Sequence, residues 1–87
     1  MNLREIVNLM KEISECCTKL EGNDFYIGPS KLQHSNVDGY QIHITGKFDD
    51  DTRKCLNEIA IKNRLSITME QYSVMIYSKK PLDWEKL

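Results

Sequence analysis

The sequence predicts a single small α+β domain in which two helices cover one face of a four-stranded antiparallel sheet. Three observations lead there: two stretches repeat apolar residues at steps of three and four, four others suit strands, and the order is α-β-β-α-β-β. With 87 residues the chain has room for one hydrophobic core, so residues 1–80 are read as the domain and 81–87 as a C-terminal tail. A composition 40% hydrophobic and 29% charged lies far from the disordered regime, and a packed core is expected.

The first helix is read from Leu3 to Leu20, with Leu3, Ile6, Val7, Met10, Ile13, Cys17 and Leu20 as one buried stripe. Asn2 followed three residues later by Glu5 resembles a capping box, and Gly22-Asn23 supplies the stop. A strand over Phe25 to Ile27 is broken by Gly28-Pro29, and a turn follows at Asn36 to Gly39. Ser30 to Gln33 suits either a continued strand after a bulge or a loop. In "YQIHITG", Tyr40, Ile42 and Ile44 alternate with Gln41, His43 and Thr45, as a strand with one wet face requires.

The second helix carries Thr52, Cys55, Leu56, Ile59 and Ala60 on its stripe and ends near Asn63, a residue type that tolerates the left-handed conformation. Two strands close the domain, "LSITM" and "YSVMIY". With Glu70-Gln71 as the turn, Met69 pairs with Tyr72, Ile67 with Val74 and Leu65 with Ile76, all on the core side. This element order results when the first strand of a β-α-β-β-α-β ferredoxin-like fold is moved to the end. Such an architecture hosts many unrelated functions and names none.

Several function classes are disfavoured. A net charge of −1 lacks the basic field of a general nucleic-acid binder. No apolar run approaches the ~18 residues that cross a bilayer, and the charged start "MNLREIVNLMKE" does not read as a signal peptide. The expected location is therefore the cytoplasm. Three cysteines, with Cys16 and Cys17 adjacent, form neither an even disulfide framework nor a metal knuckle, so Cys17 and Cys55 are read as small buried residues and Cys16 as flanking.

Asp49, Asp50 and Asp51 open the second helix, where successive side chains splay and an acidic cap is the plainer role, with Asp49 or Asp50 as N-cap. His43 belongs to a wet strand face and His34 to the long loop; a metal or enzyme role for His43 is a third-ranked alternative. No cofactor is implied and catalysis is not indicated. The open sheet face holds Tyr26, His43, Met75 and Tyr77, the expected partner-binding residues. The expected function is a non-enzymatic binding module that self-associates or docks on a protein partner through that face. The runner-up is single-stranded RNA or DNA binding, with the tyrosines stacking on bases and Lys62, Arg64, Lys79 and Lys80 at the rim. Leu82, Trp84 and Leu87 in the tail are expected to fold back on the domain.

Overall fold

The computed structural model describes residues 1–20, 22–29 and 39–78. Helix α1 spans Leu3–Cys16 and begins in the expected capping box: the Asn2 side chain accepts the Glu5 N–H at 2.9 Å, and the Glu5 carboxylate accepts the Asn2 N–H at 3.1 Å. The strands are β1 (Asp24–Pro29), β2 (Tyr40–Thr45), β3 (Ser66–Met69) and β4 (Ser73–Tyr77), and helix α2 spans Asp50–Lys62 between β2 and β3. All pairings are antiparallel in the order β1-β2-β4-β3, with both helices on one face. The α-β-β-α-β-β reading is thus observed.

Period-two alternation sorts the central strands cleanly. Ile42, Ile44, Val74 and Ile76 point at the helices and are fully buried, meeting Ile6, Leu9 and Ile13 of α1 and Leu56 and Ile59 of α2. The helices lean on each other through Glu12, whose carboxylate accepts from Lys62 Nζ and from Asn63 Nδ2, each at 3.0 Å. Those two bonds, Asn63 first, hold the Glu12 carboxyl below its ordinary range.

Five local expectations are corrected. The first helix ends at Cys16; Cys17 caps it and Thr18–Leu20 continues as a short 3₁₀ turn, which still buries Leu20. Two residues of the expected stripe, Leu3 and Val7, are 58% and 65% exposed, because they face the flank beyond the covered strands. Strand β1 runs through Gly28-Pro29 instead of breaking there, which an edge strand permits when the proline nitrogen faces away from its neighbour. At the end of α2 the left-handed residue is Arg64, with φ 57°, while Asn63 has φ −93° and returns its side-chain amide to the Ile59 carbonyl at 2.8 Å.

The fifth correction is the hairpin register. Met69 pairs with Val74 and Ile67 with Ile76, two residues off the expected register, and the Glu70 N–H donates to the Ser73 carbonyl at 2.8 Å. The turn is Gln71-Tyr72, and Tyr72 is 57% exposed instead of lining the core. A two-residue slip leaves every remaining side chain on its expected face, so the core is unchanged.

A covalent tie was not expected either. Cys17 and Cys55 occupy their predicted stripe positions, Cys17 buried and Cys55 partly so, but their sulfurs are joined as a disulfide with the Cα atoms 6.3 Å apart. Cys16 is free and exposed. In the oxidised native protein a thiol reagent is accordingly expected to add one label, at Cys16, and to reach Cys17 and Cys55 only after reduction. Mass spectrometry of the labelled peptides checks this, and rapid triple labelling without reductant would contradict the pairing. His34, the 30–34 segment, Lys79, Lys80 and the Trp84 tail lie outside the described residues.

Candidate functional site

The uncovered side of the sheet is built by the same alternation that builds the core. Register carries one row across all four strands: Tyr26 of β1 opposes His43 of β2, His43 opposes Met75 of β4, and Met75 opposes Thr68 of β3. Beside it, Gly28 opposes Gln41 and Ser66 opposes Tyr77. Tyr26 is 56% exposed, whereas His43, Met75 and Tyr77 are half-buried by their neighbours.

Contacts fix this surface in place. The Tyr26 and His43 rings lie 6.1 Å apart and tilted by 48°, a geometry in the range of aromatic packing. Tyr77 and Thr68 share a hydroxyl–hydroxyl hydrogen bond of 3.1 Å, and Gln41 Nε2 lies 3.8 Å from the Met75 sulfur. The Gln41 side-chain oxygen is shielded from water and meets no donor among the described residues, an arrangement that costs stability unless a donor arrives. No carboxylate, lysine or arginine belongs to the two rows. These two rows are therefore ordered and mixed apolar–hydroxyl in character, and the neighbouring row on the same face, Asp24–Thr45–Ser73, brings in the Asp24 carboxylate at its β1 end.

The aspartate triplet does other work. Asp49 is the N-cap of α2: its Oδ1 accepts the Thr52 N–H at 2.7 Å and its Oδ2 accepts from Lys19 Nζ at 3.1 Å. Asp51 is splayed to 89% side-chain exposure, 3.8 Å from the same ammonium. Hydrogen bonds from Thr52, through its side chain and then its backbone N–H, followed by Lys19, lower the Asp49 pKa from 3.8 to about 2. Because the folded-state value is depressed, the cap's contribution is fully present above about pH 4 and is lost as pH falls through about 2. Asp49→Ala is expected to lower the melting temperature near neutral pH by about 4–8 °C, as loss of one cap does in a domain this size, with little further change for Asp50→Ala. The Asp49 penalty should shrink in melts taken at about pH 2. Equal penalties for both substitutions would contradict Asp49 as the cap.

Among the described residues no three His, Cys, Asp or Glu side chains converge as a metal site would require. Of the expected basic rim, Lys62 is engaged by Glu12 and Arg64 is exposed at the end of α2. Sequence reading missed the outer edge of the sheet. There Ile27 is 48% exposed beside Phe25, and a groove of about 330 Å³ lies between Phe25 and the Met10 flank of α1. The signal available was "DFYIGP" itself, apolar on both faces and free of lysine. The chain matches no protein-family model, no curated protein and no solved structure, which leaves its own residues as the source of any functional reading.

Proposed function

We propose that the protein is a non-enzymatic binding module that docks a protein partner through its open sheet face, with Tyr26, His43, Met75 and Tyr77 as the contact residues. The observation that carries this reading is the row Tyr26–His43–Met75–Thr68, free of carboxylate, lysine and arginine, continuous across four strands and opposite the helical layer. Aromatic side chains and methionine favour the cores of protein interfaces, where fixed charge is depleted. Preorganised side chains also lose little entropy on docking.

Size bears on the kind of partner. Four strands ~4.8 Å apart and four to six residues long present roughly 330 Å² in projection. A stable standard interface takes about 800 Å² from each side, so one such face supports a modest contact and two faces pressed together make a weak homodimer.

No helix among the described residues is long and apolar enough to cross a membrane. We place the protein in the cytoplasm, where thiol reductants favour the dithiol form of Cys17 and Cys55 over the bonded one.

The nucleic-acid alternative is tested directly by titrating a mixed-sequence single-stranded oligonucleotide at two salt concentrations and following the Tyr26 and Tyr77 ring resonances. The expected outcome is no saturable shift at physiological salt. Tight binding that weakens steeply with salt would replace the protein-docking reading with the runner-up.

A further inference from the structure

Strand β1 is an outer edge of the sheet, and the hydrogen-bond phase of β2 shows which of its backbone groups are free. The Tyr40 N–H donates to the Met1 carbonyl and the Gly46 N–H to the Tyr72 carbonyl, both on the side of β2 away from β1. Backbone groups alternate sides along an antiparallel strand, so Gln41, His43 and Thr45 are the residues that bond β1, through their partners Gly28, Tyr26 and Asp24. Phe25 and Ile27 therefore turn both N–H and C=O outward, with no partner among the described residues. Pro29, which has no N–H, also faces outward and costs the sheet no bond.

Natural edges are guarded by lysines, inward charges or bulges. Charged side chains and prolines guard edges too, but β1 carries Asp24 and Pro29 only at its two ends, and between them Tyr26 and Ile27 are exposed on opposite faces. Leu3 and Val7, on the flank of α1 that carries Met10 above Phe25, add exposed apolar surface beside this edge.

We propose that two copies of the chain join by antiparallel pairing of β1 with β1, forming an eight-stranded sheet. One two-fold register satisfies the free N–H and C=O groups of both Phe25 and Ile27. With Tyr26 opposite Tyr26 of the second copy, Phe25 opposes Ile27 of the second copy and Ile27 opposes its Phe25, giving four reciprocal backbone hydrogen bonds. Asp24 then faces Gly28, so no like charges meet. Sliding the register two residues either way brings Pro29, which lacks a donor, against Phe25, or runs Ile27 past the strand end to Asn23, whose N–H already bonds the Leu20 carbonyl. The chosen pairing sets the two Tyr26 rings side by side on the open face and doubles its width. It goes beyond the docking reading and stands independently of it, because the edge and the face are different surfaces.

Sedimentation across a concentration series tests the pairing, together with amide exchange at Phe25 and Ile27. The wild type is expected to pass from 10.2 kDa to twice that mass as concentration rises to about 1 mM, with exchange at those two amides slowing roughly tenfold or more over the same range. Ile27→Pro removes an N–H that the monomer does not use, and Ile27→Lys places a charge at the pairing edge; both variants should stay at monomer mass with an unchanged fold. A wild type that stays at 10.2 kDa throughout, or a dimer whose Phe25 and Ile27 amides exchange as in the monomer, would overturn the proposal. So would a dimer that survives both Ile27 substitutions but is lost in His43→Glu/Met75→Glu, a result that would assign the contact to the open face instead. The amide measurement uses the wild type and so decides the matter even if Ile27→Pro fails to fold.

Discussion

Reducing the Cys17–Cys55 disulfide, or replacing both residues by serine, is expected to destabilise the oxidised protein by about 3–4 kcal/mol. The bond joins residues 38 apart in sequence, so it removes a large share of the unfolded chain's freedom while holding the end of α1 against α2. A domain of this size has roughly 4–13 kcal/mol of stability in total, which makes the tie one of the largest single contributions. The double-serine variant adds a small cost, since two hydroxyls replace sulfurs on the core side. Thermal melting with and without a reducing agent measures the effect: the wild type should lose about 12–30 °C on reduction, and the serine variant should melt at one temperature in both conditions. If reduction leaves the wild-type transition unmoved, the helices are held by packing alone.

The second large effect is expected at the open face. In His43→Glu/Met75→Glu, partner binding should fall by about a hundredfold or more, because docking would strip water from two carboxylates that have nothing to pair with. Folding should change little, since both side chains are only half-buried and border solvent in the free protein. The diagnostic pattern is a melting temperature near that of the wild type together with lost association. A variant that unfolds would instead show that the row supports the sheet.

How much of this was legible in the chain depended on how local the cause was. The capping box at Asn2 and Glu5 and the aspartate N-cap of α2 are set by neighbours in sequence; the first appears as read, and the second falls on Asp49, one of the two aspartates expected there. The core faces of β2 and β4 follow from period-two alternation, which also explains why the hairpin register could be missed while its faces were right. Gln71-Tyr72 carries no glycine or asparagine to mark the turn, and a slip of two preserves every face.

What escaped depended on placement in space. The disulfide requires the end of α1 to lie beside the middle of α2, and no spacing rule gives that for an odd set of cysteines. The exposure of Leu3, Val7 and Ile27 follows from β1 standing at the sheet edge beyond the cover of α1, and amphipathic periodicity says nothing about which strand is outermost. Even the strand through Gly28-Pro29 is allowed by that same edge position.

The central claim, that the open sheet face and not the helical face receives the partner, is tested most directly by a photoreactive side chain placed at position 75 on β4 and, separately, at the exposed position 58 on α2. Light delivered in intact cells should give a discrete protein adduct from position 75 that disappears when His43→Glu is added, and none from position 58. An adduct formed from position 58 with position 75 silent, or one insensitive to His43→Glu, would contradict the assignment of the face.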